Sequence, residues 1–133
     1  MSLLLIDGEN ISLQNIVIEM KQKHRWTLKY LFGTKNTFSK INFQFCIKYG
    51  IKTMLTEGGK NMVDGFMIAK SIDLCNSNPN INEVGIVSGD KIFVNIPRIL
   101  VPRGIKCTLV VPQGNFTVAK ALRNVLVENL KGK

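Results

Sequence analysis

Hydrophobic residues occur along the chain in short continuous runs, and amphipathic stretches separate these runs. Continuous apolar runs are typical of strands in a parallel sheet that is covered on both faces. Glycine, proline and polar clusters end most of them. The pattern therefore predicts five buried strands, at about residues 3–6, 26–32, 51–55, 84–88 and 105–111.

The stretches between the strands carry helical spacing and capping residues. A helix is expected to begin near Asn10 or Ser12, because both side chains can cap a helix N-terminus. Further helices are expected at about residues 36–49, 60–75, 92–100 and 117–130. Repeated strand–helix units are typical of a three-layer α/β/α sandwich with a parallel sheet. A length of 133 residues favours one domain spanning residues 1–133.

Two of the predicted strands end in an aspartate beside a glycine. Asp7 follows the first strand and Asp90 follows the fourth. Ligands of parallel α/β sheets bind outside the carboxyl ends of the strands, where the strand order reverses. If these two strands are neighbours, both carboxylates face one crevice. An Asp-Gly pair at a strand end is often only a turn, so the prediction depends on the two motifs together.

The helical periodicity of the third helix adds a third candidate carboxylate, that of Asp64. At about 100° per residue, Lys60, Asp64 and Ser71 fall near one face of the third helix, which is otherwise largely apolar. A carboxylate on this polar strip is expected to face a crevice. Relative to Asp64, Asp73 lies on the opposite side of the helix and roughly 13 Å further along its axis, so a surface or structural role is expected for Asp73.

Three aspartates that converge would repel one another, and a divalent cation would relieve the repulsion. Hard oxygen ligands favour Mg²⁺ or Mn²⁺, which suit phosphate chemistry. Asp7, Asp64 and Asp90 are therefore the candidate catalytic and metal-binding residues.

Three polar residues near these aspartates are candidates for binding substrate. Lys60 could hold a phosphate, and Asn10 could bond a phosphate oxygen or a metal-bound water. Ser88 could bond a neighbouring carboxylate or a substrate oxygen. Each has a simpler alternative: a helix cap for Asn10, an ion pair with Asp64 for Lys60, and a hydrogen bond within a turn for Ser88.

The composition of the chain bears on its binding partner and on its location in the cell. The formal charge is +9 and the pI is about 9.7, which favours nucleic acid as partner, although basic charge can also serve solubility alone. No apolar run is long enough to span a membrane and no secretory signal is present, so a cytoplasmic protein is expected. The three cysteines are widely spaced, which predicts reduced, buried thiols and no zinc site. Monomer and homodimer both remain open.

Four stretches together resemble the PIN-like NYN-domain nucleases. They are residues 6–10 (IDGEN), 60–64 (KNMVD), 87–90 (VSGD) and 104–106 (GIK), and they occur in the family's order. The resemblance covers nearly the whole chain. It implies a three-layer α/β/α sandwich with strand order 3-2-1-4-5. It also implies a metal-dependent ribonuclease whose acidic cluster is Asp7, Asp64 and Asp90.

One position departs from the family pattern. Family members usually carry a second aspartate two residues after Asp90, followed by phenylalanine. Here Ile92 takes that place, while Phe93 is retained and Lys91 adds a cation. An endoribonuclease that uses Mg²⁺ or Mn²⁺ is the first hypothesis. A catalytically weak or inactive RNA-binding module is the second, and a phosphate-binding α/β protein unrelated to nucleic acid is the third.

Overall fold

The sheet has the predicted strands in the order that the resemblance implied. The computed structural model describes residues 1–9, 26–39 and 43–110. All strand pairs are parallel, and the order is 3-2-1-4-5. The strands are β1 (Ser2–Asp7), β2 (Leu28–Gly33), β3 (Ile51–Leu55), β4 (Glu83–Val87) and β5 (Lys106–Leu109). The predicted parallel α/β sheet is therefore confirmed.

Helices connect the strands and cover the sheet. They are α1 (Lys35–Ser39), α2 (Phe43–Lys48), α3 (Lys60–Ser77) and α4 (Asn95–Leu100). One helix was predicted over residues 36–49, where the structure has α1 and α2. A 3₁₀ turn, Lys91–Val94, precedes α4, and another, Val101–Arg103, follows it. The helices predicted near Asn10 and over residues 117–130 lie outside the described residues.

Side chains of β1 alternate between the two faces of the sheet, and both faces are covered. Leu3 and Leu5 pack in one hydrophobic cluster that includes Val63 and Met67 of α3 and Ile96 and Leu100 of α4. Leu4 and Ile6 pack in the other, with Phe38 of α1 and Cys46 of α2. Helices therefore lie on both faces, as a three-layer sandwich requires.

Trp26 packs directly against the backbone of β4. A Cβ atom added at Gly85 would lie 2.4 Å from Cη2 of the Trp26 ring. The indole is buried, with 6% of its surface exposed. Gly85 is therefore required by close packing: only a residue without a side chain lets the ring reach the strand.

The three cysteines are free and buried, as predicted. Burial raises the pKa of the Cys46 and Cys75 thiols, and Arg103 lowers that of Cys75 by a smaller amount. A thiol with a raised pKa is a poor nucleophile.

In the described ranges, none of the helices combines the length and the apolar character that crossing a membrane requires.

Candidate active site

The aspartates lie where the strand order reverses. β1 pairs with β2 on one side and with β4 on the other, and Ile6 lies opposite Val87. Asp7 and Ser88 are the next residues on these two strands. Alternation along β1 places Asp7 on the same face as Leu3 and Leu5, which is the face that α3 covers. The condition set by the sequence, that the first and fourth strands be neighbours, is met.

Ser88 joins the ends of β1 and β4. Its hydroxyl donates to Asp7 Oδ2 at 2.8 Å and accepts the backbone N–H of Asp90 at 3.1 Å. Asp7 Oδ1 accepts the backbone N–H of Glu9 at 3.2 Å. Asp7 and Ser88 are both fully buried. Of the two roles expected for Ser88, the structure shows the bond to a neighbouring carboxylate.

Asp64 and Asp90 line one cavity, which we call the acidic cavity. Its volume is about 380 Å³, and its walls also include Asn61, Gly65, Ile68, Lys91 and Ile92. Asp64 is buried, with 7% of its surface exposed. Of the predicted polar strip, Asp64 thus lines a cavity, as helical phase predicted, while Ser71 is fully buried and bonds to the Ile68 carbonyl. Asp73 of the same helix is exposed, in keeping with the surface role expected for it.

Asp90 is held at the start of the following 3₁₀ turn. Its Oδ1 accepts the backbone N–H of Ile92 at 3.2 Å, so the carboxylate caps the turn. This bond and the one from its own N–H to Ser88 orient the residue at the cavity. Ile92, 40% exposed, presents an apolar side chain to the same cavity.

Two of the predicted substrate-binding side chains are not described. Asn10 lies outside the described residues. Lys60 is the first residue of α3, and its side chain lies outside the described part of the structure. Their predicted roles stay predictions.

Glu9 is directed to the neighbouring strand. Its Oε1 accepts hydrogen bonds from the N–H and hydroxyl of Thr34, both at 3.0 Å, and from the hydroxyl of Thr37. Glu9 therefore ties the loop after β1 to the end of β2. Sequence reasoning left the position of this side chain open, because its partners lie 25 and 28 residues further along the chain.

The donor atoms of the acidic cavity fit a hard divalent cation in type. Asp64 and Asp90 line one space, and carboxylates are the ligands that Mg²⁺ and Mn²⁺ prefer. Among the described residues, no three His, Cys, Asp or Glu side chains stand together as a ready-made metal site. Asp7 does not line the acidic cavity and is hydrogen-bonded to the Ser88 hydroxyl.

The comparison with protein families gives one match. The model of the NYN domain matches residues 2–128. The chain belongs to the NYN domain family. Its fold is accordingly that of the PIN-like nucleases, as the five-stranded parallel sheet also shows. A comparison with curated proteins found no match.

Family membership gives the site its context. NYN nucleases act on RNA and generally depend on a divalent metal. In this NYN domain, the acidic cavity lies between α3 and the turn that follows β4, one of the two strands at the switch point. Ile92, where the resemblance implied a second acid, lines that cavity beside Asp64 and Asp90.

Proposed function

We propose that this NYN domain is an endoribonuclease that uses Mg²⁺ or Mn²⁺. The observation that carries the proposal is that Asp64 and Asp90 line one cavity beyond the carboxyl end of β4, a strand at the switch point of the sheet. The net charge of +9 supports a polyanionic substrate. We further propose that residues 1–133 form one such domain.

The residues of the chain have distinct proposed tasks. Asp64 and Asp90 would hold the cation, which supplies positive charge to the phosphate oxygens and makes water more acidic. The Ser88 hydroxyl positions the Asp90 loop through the Asp90 N–H and fixes Asp7 through Oδ2. Hydrolysis then consists of water adding to phosphorus while the bond to one ester oxygen breaks.

Asp7 has two proposed contributions. It orients Ser88, and through it Asp90, by the hydrogen bonds that the structure shows. It is also proposed as the third ligand of the cation. Asp7→Asn and Ser88→Ala separate the two contributions, because only the first variant removes the carboxylate. If Asp7 is a ligand, the Asp7→Asn variant binds Mn²⁺ much more weakly than the Ser88→Ala variant does.

The main test is cleavage of a labelled single-stranded RNA with Mg²⁺, with Mn²⁺ and with chelator. We expect cleavage that requires metal and that falls by about two orders of magnitude in Asp64→Asn and Asp90→Asn. Asp73→Asn is the matched control, since Asp73 is exposed on the same helix. Cleavage that survives in both site variants would contradict the proposal.

A second candidate function is an RNA-binding module without significant catalysis. Two observations favour it: Ile92 occupies the acidic cavity in place of an acid, and no three-ligand group is preformed among the described residues. Salt-sensitive RNA binding, with no cleavage in either metal, would support this candidate over the nuclease.

A further inference from the structure

A second, larger cavity lies along the same edge of the sheet and has no role in the function proposed above. Its volume is about 680 Å³, within the usual range for sites that bind small molecules. Thr34, Lys35 and Asn36 line it after β2, and Thr56 and Gly59 line it after β3. We call it the strand-end cavity.

Thr56 lines this cavity and carries a buried hydroxyl without a partner in the described part of the chain. Its backbone N–H donates to the carbonyl of Gly33 at 2.9 Å, which fixes the residue at the end of the sheet. The side chain is 8% exposed, and Oγ1 has no hydrogen-bond partner among the described residues. A buried hydroxyl without a partner is costly, so a ligand that hydrogen-bonds to it would gain stability.

The N-terminus of α3 also lines this cavity. Gly58 has a φ of +109°, a conformation that L side chains rarely adopt, and it turns the chain from β3 toward the helix. Gly59 is the N-cap of α3 and provides no side-chain cap. The Met62 N–H donates to the Gly59 carbonyl, so the N–H groups of the two residues before it are the ones that a side-chain cap would serve and that can attract an anion.

The first turn of α3 lies between the two cavities. Gly59 lines the strand-end cavity, and Asn61 and Asp64 line the acidic cavity. A nucleic acid strand whose cleaved linkage sits at the aspartates would therefore place its next residue over the helix N-terminus.

Charge indicates which part of a nucleotide fits inside. Lys35 is accompanied by the carboxylates of Glu9 and Glu57, so the cavity body does not favour a bare phosphate. Threonine hydroxyls, an asparagine amide and carboxylates suit neutral groups that both donate and accept, such as ribose hydroxyls and base edges. The helix N-terminus supplies the complementary place for the phosphate.

We propose that the strand-end cavity binds the ribonucleotide next to the cleaved linkage. Its ribose and base lie inside, and its phosphate lies at the N-terminus of α3. The inference rests on the proposed nuclease function, because that function places RNA at the neighbouring acidic cavity. It adds a subsite formed by Thr34, Asn36, Thr56 and the first turn of α3.

The sharpest variant is Gly59→Asp. Nothing lies within 4 Å of a Cβ at this position, and its backbone angles, φ −87° and ψ −175°, suit a capping aspartate. The new carboxylate would occupy the helix N–H groups and repel a phosphate. We expect RNA affinity to fall about tenfold while Tm stays level or rises by about 1–2 °C.

Three further variants refine the test. Gly59→Asn caps the helix without charge, so its loss of affinity is expected to be smaller than that of Gly59→Asp. Thr56→Val keeps the shape, removes the hydroxyl and is expected to weaken binding about fivefold. Asn80→Asp adds the same charge at an exposed position beyond α3, near the amino end of β1, and serves as the control.

Binding is measured by fluorescence anisotropy with a labelled oligoribonucleotide in chelator, so that no cleavage occurs. The proposal predicts that Gly59→Asp and Thr56→Val lose affinity while Asn80→Asp does not. Wild-type affinity in both cavity variants would overturn it, and so would equal losses in Gly59→Asp and Asn80→Asp. Wild-type cleavage with Mg²⁺ or Mn²⁺ is scored separately, so failure of the nuclease function remains distinguishable from failure of the subsite.

Discussion

At the scale of single residues, Ile92 is the position where the resemblance to the family implied a second acid. Its side chain lines the acidic cavity with Asp64 and Asp90, and its N–H donates a hydrogen bond to Asp90 Oδ1. The backbone bond does not depend on the side chain. The position can therefore be changed without disturbing the orientation of Asp90.

Ile92→Asp is expected to raise affinity for Mn²⁺ by about an order of magnitude, because it adds a third carboxylate to the cavity. Isothermal titration calorimetry measures the change directly. Ile92→Asn is the matched control, since it has the same shape without the charge. Equal Mn²⁺ affinity in the two variants would place Ile92 away from the metal.

Gly85 illustrates a different constraint at the same scale. Gly85→Ala would place Cβ within 2.9 Å of three atoms of the Trp26 ring. We expect it to lower the free energy of unfolding by about 1–3 kcal/mol through overpacking, measured by urea denaturation. Gly65→Ala is the matched control, because Gly65 lies in α3 and a Cβ added there would have no atom within 4 Å. This variant should raise the free energy of unfolding by about 0.5–1 kcal/mol. If Gly85→Ala left the free energy of unfolding unchanged, the close packing of Trp26 against Gly85 would be contradicted.

At the scale of secondary structure elements, the ends of β1 and β4 are joined by one buried hydroxyl. Ser88→Ala removes the donor to Asp7 and the acceptor of the Asp90 N–H. We expect a loss of about 1.5–3 kcal/mol in the free energy of unfolding, because a buried carboxylate loses a hydrogen bond.

Ser71→Ala provides the comparison for that prediction. Ser71 is as fully buried as Ser88, but its hydroxyl donates only to the Ile68 carbonyl one turn earlier in α3. Its removal should change the free energy of unfolding by less than about 0.5 kcal/mol, since that carbonyl already belongs to a helix. Similar losses in both variants would mean that Ser88 has no special role in joining the strands.

The elements were largely predictable from the sequence, and the contacts among their side chains were not. Apolar runs located every strand, and helical phase separated Asp64 from Asp73. Phase did not predict that Met62 of the same helix would be 59% exposed, because that depends on which face the sheet covers. The bonds of Glu9 to Thr34 and Thr37 depend on three-dimensional proximity, for which a single sequence carries no local signal.

The same strand-end rule that identified Asp7 and Asp90 could have identified the strand-end cavity. Thr34 and Thr56 directly follow β2 and β3, just as Ser88 follows β4. Threonine at a strand end is common in turns, so the sequence alone does not distinguish these two residues as part of a site. Only the unpartnered Oγ1 of Thr56, a property of the folded chain, distinguishes it.

At the scale of the whole molecule, the net charge of +9 predicts how RNA binding depends on salt. If about five phosphates are neutralised, the logarithm of the association constant falls with the logarithm of salt at a slope of about −3.5. Affinity then drops about a hundredfold between 50 and 200 mM salt. Anisotropy titrations at four salt concentrations measure the slope. A slope near zero would exclude phosphate contacts as the main source of affinity.

The central position of β1 has a consequence for protein synthesis. The hydrogen bond between Asp7 and Ser88 joins residues 81 positions apart, and β4 is made after β1, β2 and β3. A nascent chain released before Asp90 is translated therefore carries Asp7 and Asp64 without the rest of the cluster. Such a fragment is expected to show no metal-dependent cleavage of RNA, because the proposed site needs Asp90.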